Sequence, residues 1–329
     1  MTAITPTNGA TLASGINAAL ASLMDADPQV VLLGQDIGEL GGVFRVTSGL
    51  TQRFGAARVR NSILSEAAIV GQAIGMSLAG MRPICEIQFD GFTYPAASQI
   101  ITQATRMAQR WEGRADANVV IRIPSGAGTR AVEHHSECNE ALFARVAGLA
   151  VACPSTGQDY EEVLRHAVAT GGPTVIYEPI RLYHRTRVEA REDNPRSSAT
   201  AARVVRTGSD LTVACYGAIT NDVLRAACEV ADRVSVEVVD LRWLSPLDMA
   251  TVAESIRKTG ALLVVHESSM EYGIGAEVAA SAAEMCFPDL RGAPHRLAPP
   301  SVAYPPADKA DDYLLSVRSI IDAIEEMTR

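Results

Sequence analysis

The stretch Asn61-Ser62-Ile63-Leu64-Ser65-Glu66-Ala67-Ala68-Ile69-Val70-Gly71 predicts a short strand that gives way to a helix, with Glu66 at the junction. Glu66 is the one charged residue between Ile63 and Gly80. Burying a carboxylate without a partner costs several kcal/mol, so the sequence predicts that Glu66 is buried and binds something. The alternative is a carboxylate that faces the amides at the start of its own helix, which is worth roughly 0.3–1 kcal/mol.

On both sides of this stretch, short β-branched runs alternate with longer helical stretches, a pattern typical of parallel α/β architecture. We expect strands at residues 30–33, 83–88, 119–123, 150–153 and 174–177, and helices at 11–24, 66–79 and 95–111. Residues 186–209 are charged and then polar, without an apolar period, and predict a linker. A second α/β unit follows at 210–329, with strands at 211–215, 236–239 and 261–265 and a last helix at 311–327.

The composition excludes several classes of protein. The chain has 329 residues, enough for two domains, and its net charge of −9 argues against nucleic acid as a partner. Its six cysteines are scattered without a C-x-x-C pair, which indicates reduced thiols. We find no signal peptide and no apolar run near the ~20 residues that span a bilayer, so the expected location is the cytoplasm, away from membranes.

Several further segments, in order and spacing, resemble one family. They include Gly41-Gly42-Val43-Phe44, Leu64-Ser65-Glu66, Glu86-Ile87-Gln88-Phe89, His135-Ser136, Tyr177-Glu178-Pro179 and Leu244-Ser245-Pro246-Leu247-Asp248. Together they are similar to the β subunit of the thiamine-diphosphate-dependent first component of 2-oxo acid dehydrogenase complexes, of the branched-chain or the pyruvate type. The resemblance implies a pyrimidine-binding α/β domain at 1–185, the linker at 186–209, and a C-terminal transketolase-like α/β domain at 210–329.

The resemblance also implies roles for the candidate cofactor-binding residues. Glu66 matches the glutamate that binds a ring nitrogen of the aminopyrimidine and promotes formation of the nucleophilic cofactor. Phe92 matches the aromatic residue that packs on that ring. Gln88 is expected to line the same pocket, and a glutamine at a sheet edge is the alternative.

His135 matches the histidine that moves protons while the acyl group passes to lipoamide. His134 is a second imidazole beside it, so the functional histidine could be either of the two. Glu137 stands where relatives have glutamine, and we expect this anion to raise the histidine pKa. The alternatives are a His-His-Glu surface loop and an accidental metal site, which adjacent histidines suit poorly.

Other positions depart from the family pattern. Gln35 stands where relatives often have a glutamate; if that carboxylate belongs to an acidic proton path between active sites, this chain has lost one member of the path. Ala167 and Thr170 occupy positions where some relatives help to bind potassium, and Thr170 replaces an aspartate, which leaves that site in doubt.

The sequence has no Gly-Asp-Gly element followed by a paired asparagine, which in thiamine enzymes holds Mg²⁺ and the diphosphate. A separate α subunit is therefore expected to hold most of the Mg²⁺ site and to share the thiamine diphosphate, in an assembly of two α and two β chains. The other expected partners are a lipoyl acyltransferase core and a small 2-oxo acid.

The expected reaction is decarboxylation of a branched-chain 2-oxo acid, with transfer of the acyl group to lipoamide. The alternatives are a pyruvate dehydrogenase β subunit, a thiamine-dependent sibling enzyme of a specialised pathway, and a non-catalytic assembly scaffold.

Overall fold

Two mostly parallel sheets form the centres of the two halves of the chain. The computed structural model describes residues 11–185 and 198–328. The first sheet has seven strands in the order β10-β5-β6-β4-β3-β1-β2, and the second has five in the order β12-β11-β8-β9-β7. These strands are β1 Val30–Gly34, β2 Val59–Asn61, β3 Arg82–Glu86, β4 Val120–Ser125, β5 Ala150–Ala152, β6 Thr174–Pro179, β7 Arg203–Arg206, β8 Leu211–Cys215, β9 Val236–Asp240, β10 Trp243–Ser245, β11 Leu262–Val265 and β12 His295–Leu297.

Helices cover the sheets and connect most of the parallel strands. They are α1 Leu12–Ala26, α2 Leu50–Phe54, α3 Glu66–Leu78, α4 Thr93–Ser98, α5 Met107–Arg110, α6 Glu140–Ala144, α7 Gly157–Thr170, α8 Ile219–Glu229, α9 Met249–Thr259, α10 Ile274–Cys286, α11 Ala310–Tyr313 and α12 Val317–Met327. The predicted α/β fold class is confirmed. Within the described ranges, no helix is long and apolar enough to cross a bilayer.

The helix predicted at 95–111 is not continuous. A π-helical segment, Gln99–Ala104, separates α4 from α5. Thr102 Oγ1 donates to the Ser98 carbonyl at 2.6 Å, and Thr105 Oγ1 donates to the Ile101 carbonyl at 2.7 Å. Hydroxyls that bond to the preceding turn compete with the regular α-helical pattern, which a sequence period does not reveal.

The helix predicted at 311–327 is split in the same way. Leu314 has φ −74° and ψ 143°, an extended conformation that ends α11. Ser316 then opens α12 with a capping box, in which Ser316 and Ser319 each accept a hydrogen bond from the other's backbone N–H. The helical turn and the last helix are therefore separate elements.

The two halves of the chain are interlocked. Of the predicted linker at 186–209, residues 186–197 lie outside the described ranges. The rest includes β7, which pairs antiparallel with β9, so the second sheet begins inside the predicted linker. In return, β10 of the second half pairs antiparallel with β5 of the first sheet. The structure thus joins two units that the sequence separates.

Candidate active site

The predicted site residues lie on loops at one edge of the first sheet. Strands β4, β3, β1 and β2 are adjacent and parallel, so their carboxyl ends meet at that edge. Gln35, Glu66, Gln88 and His135 follow β1, β2, β3 and β4 respectively. Ligands of open α/β sheets bind at the carboxyl ends of strands, which makes this edge the candidate active site.

Glu66 is the first residue of α3, as predicted, but another residue caps the helix. Ser65 is the N-cap, and its Oγ accepts from the Ala68 N–H at 3.4 Å. The Glu66 side chain is partly exposed, so the predicted burial does not hold for the single chain. No residue in the described ranges forms a hydrogen bond or ion pair with its carboxylate. Ser65 Oγ thus accepts from one of the free amides at the helix start, and the Glu66 carboxylate, at the same helix N-terminus, is available to a ligand.

The loops after β1 and β2 are joined to each other beside Glu66. The Gly38 N–H donates to Asn61 Oδ1 at 2.7 Å, and the Ser62 N–H donates to the Gly34 carbonyl at 2.8 Å. These loops expose four large apolar side chains: Leu40, Val43, Ile63 and Leu64. Ile63 is 72% exposed and Leu64 73%, and clustered exposure of this kind marks an interaction surface.

Gln88 contacts the loop that follows β1. Its Nε2 is 3.4 Å from the Gln35 carbonyl oxygen and 3.5 Å from Asp36 Oδ2. Asp36 has φ 58°, a left-handed conformation that is uncommon for a residue other than glycine. Gln88 follows β3, which lies between β1 and β4 and is an inner strand of the sheet. The alternative, a glutamine on an outermost strand, is therefore wrong.

Phe92 belongs to an aromatic cluster that brings the loops after β3 and β4 together. Its ring centroid is 5.2 Å from that of His135, 5.8 Å from that of His134 and 5.7 Å from that of Phe89. The rings of Phe89 and His135 are closer still, at 4.3 Å. Gly91 permits this approach, because a Cβ there would lie 2.7 Å from His134 Cα.

The two histidines have different surroundings. His135 packs edge-on against Phe89, and its Nδ1 is buried without a hydrogen-bond partner among the described residues. His134 Nδ1 lies 3.5 Å from Glu133 Oε1. Burial, and secondly the neighbouring His134, lower the pKa of His135 below its usual value, and Glu133 opposes them. A lowered pKa favours the neutral imidazole near pH 7.

The prediction that Glu137 raises the histidine pKa is wrong. Glu137 Oε2 accepts hydrogen bonds from Tyr94 Oη at 3.3 Å and from Asn139 Nδ2 at 3.2 Å. The carboxylate is therefore engaged with residues on the far side of the loop, and the pKa of His135 is lowered rather than raised.

Asp90 is a site residue that the sequence analysis missed. It is buried between Phe89 and Gly91, and its Oδ2 accepts from the Asn139 N–H at 2.6 Å. Its Oδ1 is buried without a hydrogen-bond partner in the described part of the chain, and burial raises the carboxyl pKa well above its usual value. An aspartate directly after a strand, among apolar residues, was the signal in the sequence.

A buried charge network fixes the strands below these loops. Arg122 on β4 donates to both carboxylate oxygens of Glu178 on β6, at 2.7 and 2.8 Å, and to Glu86 on β3 at 2.9 Å. Tyr160 and Tyr183 each donate to Glu178 at 2.5 Å. Removing one member of such a network leaves a buried charge unpaired, so the register of the strands that carry the site is strongly constrained.

Ala167 and Thr170, the two positions where some relatives bind potassium, both lie in α7. Ala167 is buried in α7. The Thr170 hydroxyl donates to the His166 carbonyl at 2.8 Å and is engaged with its own helix.

Comparisons with known proteins agree with this architecture. Residues 8–185 match the family model described as transketolase, pyrimidine binding domain, and residues 200–320 match transketolase, C-terminal domain. A solved structure described as a split gene transketolase, inactive β4 tetramer, superimposes with a TM-score of 0.78 over 98% of this chain and 100% of that chain, at 22% identity. That likeness supports the transketolase-like fold.

Two curated relatives cover nearly the whole chain. The pyruvate dehydrogenase E1 component subunit beta of Leifsonia xyli is 42% identical, over 95% of this chain and 93% of the relative. The 3-methyl-2-oxobutanoate dehydrogenase subunit beta of Mycobacterium tuberculosis is 40% identical, over 98% of this chain and 93% of the relative. The chain therefore belongs to the family of β subunits of the first component, E1, of 2-oxo acid dehydrogenases.

Proposed function

We propose that this chain, together with an α subunit, decarboxylates a 2-oxo acid on thiamine diphosphate and passes the acyl group to a lipoyl arm. The observation that carries the proposal is the Glu66 carboxylate. It stands at the carboxyl edge of the sheet without a partner among the described residues, although Ser65 already caps its helix. A carboxylate that has no hydrogen-bond or ion-pair partner among the described residues, near Gln88 and the Phe92 cluster, fits the aminopyrimidine of the cofactor.

Each residue has one task in this proposal. Thiamine diphosphate, when bound, would supply carbanion chemistry towards the carbonyl carbon of the 2-oxo acid. Glu66 would accept a hydrogen bond at a ring nitrogen of the pyrimidine and so orient and activate the ring. Phe92 offers a flat apolar surface to the ring, and Gln88 offers its amide to the same pocket.

The proposed role of His135 concerns the second half of the reaction. Its ring is held against Phe89 and Phe92, and its lowered pKa keeps the neutral form populated near pH 7. A neutral imidazole accepts a proton and returns it as the acyl group changes carrier. Its packing against Phe89 and Phe92, with an Nδ1 atom that is buried and has no hydrogen-bond partner among the described residues, favours His135 over His134 as the functional residue.

The remainder of the cofactor site is proposed to come from an α subunit. This sequence lacks a Gly-Asp-Gly element, so Mg²⁺ and the diphosphate need ligands from another chain. Ile63 and Leu64, next to Glu66, are exposed apolar side chains that a second protein would bury. An assembly of two α and two β chains and docking to a lipoyl acyltransferase core complete the proposal.

For the substrate we propose a branched-chain 2-oxo acid, with pyruvate as the alternative. One relative is named for each substrate, at 40% and 42% identity respectively, so overall similarity does not separate them. Asn61 Oδ1 holds the loop after β1, a contact that does not distinguish the two substrates. Turnover of a panel of straight and branched 2-oxo acids by the assembled enzyme therefore decides the substrate.

The six cysteines are free thiols, in line with the cytoplasm, which stays a prediction.

The decisive experiment replaces Glu66 in the assembled α and β enzyme. We expect Glu66→Gln to abolish decarboxylation, measured as carbon dioxide release, while the assembly still forms by size-exclusion chromatography. Glu254→Gln, in the exposed part of α9, is the matched control and should retain full activity. A Glu66→Gln enzyme with normal turnover would contradict the proposal and favour a non-catalytic scaffold. If no 2-oxo acid is turned over, and another acyl donor is turned over in a reaction that depends on Glu66, the result would instead favour a sibling thiamine enzyme.

A further inference from the structure

The loop that carries His135 ends in a buried carboxylate. Glu140 is the first residue of α6, five positions after His135, and its side chain is buried. Its Oε1 accepts a hydrogen bond from Tyr216 Oη at 2.5 Å. Tyr216 directly follows β8 of the second sheet, so this bond joins the His135 loop to the C-terminal half of the chain.

The bond continues into a buried chain of polar groups. Tyr216 Oη lies 3.2 Å from Ser268 Oγ, and Ser268 Oγ lies 3.0 Å from His266 Nδ1. All of these side chains are buried. His266 is in turn held against the first turn of α10, because a Cβ at Gly275 would lie 2.5 Å from its Nε2. His266, packed against α10, therefore supports Ser268 and Tyr216, and Tyr216 binds Glu140.

Packing alone does not hold this side of the loop. Ser136 to Asn139, together with Glu267, Ser268 and Tyr304, line a cleft of about 160 Å³. Side chains that face such a space have fewer contacts on that side to resist movement. On its other side the loop is anchored by bonds from the Asn139 N–H to Asp90 and from the Gly126 N–H to the Glu137 carbonyl, and Glu140 anchors it across the cleft.

We propose that Glu140, Tyr216 and Ser268 are positioning residues, through which the C-terminal domain sets the place of the His135 loop and hence the rate of acyl transfer. The proposal rests on the proposed role of His135. Tyr216→Phe removes the donor that lies 2.5 Å from the buried Glu140 carboxylate and leaves Ser268 as its other side-chain donor, so the hold on the loop weakens and the loop relaxes towards the cleft. A shift of about 1 Å at a reacting group is enough to slow a step by about 10²-fold.

The test compares the two half-reactions in the assembled enzyme. Decarboxylation is followed with an artificial electron acceptor, and acyl transfer is followed as acylation of an isolated lipoyl domain. We expect Tyr216→Phe to slow transfer roughly 10- to 100-fold and to leave decarboxylation unchanged. Ser268→Ala should show the same selectivity with a smaller loss, since it removes only the second bond to the chain.

Ser255→Ala is the matched control, because Ser255 is also a buried serine of the second domain and its Oγ lies 2.6 Å from Thr212 Oγ1. It should lower thermal stability as much as Ser268→Ala does, without slowing transfer. A purely structural role for the chain predicts that both half-reactions of the Tyr216 variant fall together, or that neither does. Either result overturns the proposal.

A His135→Ala variant separates this proposal from the one on which it rests. If His135→Ala slows transfer and Tyr216→Phe does not, the positioning proposal alone fails. If His135→Ala transfers acyl groups normally, the role of His135 fails and the positioning proposal fails with it. If the unmodified assembly does not decarboxylate any 2-oxo acid, the proposed function itself is refuted.

Discussion

Gly91→Ala tests the contact between the loop that carries Phe92 and the loop that carries His135 more directly than any other change. The φ angle of Gly91 is not in the left-handed region, so its backbone accepts alanine and the added methyl group is the whole perturbation. That Cβ would lie 2.7 Å from His134 Cα and 2.8 Å from His134 Cβ, and nearer still to the His134 carbonyl oxygen. Ordinary carbon contacts are about 3.5–4.0 Å, so the loops must separate by roughly 1 Å.

The expected effects follow from this displacement. Overpacking of this kind costs about 1–3 kcal/mol of stability. Because Phe92 and His135 lie on the two loops that separate, we expect decarboxylation and acyl transfer both to fall, by about 10²-fold for a 1 Å displacement. Chemical denaturation of the β chain and the two half-reactions of the assembled enzyme measure these quantities.

Gly292→Ala is the control, because no atom lies within 4 Å of a Cβ at that position and its φ is ordinary. It should leave stability and both half-reactions unchanged. A Gly91→Ala enzyme with normal activity and stability would show that the loops tolerate separation. The close approach of His134 to Gly91 would then have no part in catalysis.

Three further predictions concern charge and the exposed surface. His134→Asn removes a positive charge beside His135, so the pKa that His135 contributes to the pH profile of acyl transfer should rise. Glu133→Gln removes a negative charge and should lower that pKa. Leu64→Asp should prevent association with the α subunit, seen by size-exclusion chromatography, yet change the stability of the free chain by no more than about 0.5 kcal/mol, since Leu64 is 73% exposed. His266 is buried and neutral, with its pKa lowered from 6.5 to about 4. The stability that the neutral His266 contributes is fully present above pH 6.5 and is lost as the pH falls towards 4. Over that range the free energy of unfolding of the unmodified chain should therefore fall by about 3 kcal/mol more than that of His266→Gln.

Local patterns predicted the inner parallel strands and the start of α3 at Glu66, but not β7, β10 and β12, which are outermost strands of the two sheets. Two further errors, in helices, occur where a local polar bond competes with a periodic pattern. Thr102 and Thr105 bond back to the preceding turn, and Ser316 starts a new helix after Leu314 has ended the turn before it.

The linear sequence was sufficient to predict the fold class and the family and to nominate four candidate residues, because motifs that occur in a fixed order can be recognised without the fold. Which loops meet depends on tertiary structure. Strand order brings the loops after β1, β2, β3 and β4 to one edge, and β10 crosses back to the first sheet. It also decided the partners of buried groups: Glu137 bonds away from His135, and Glu140 bonds to Tyr216, 76 positions later. A pKa and a hydrogen bond depend on what lies within a few ångströms in space, and separation along the chain does not specify that distance.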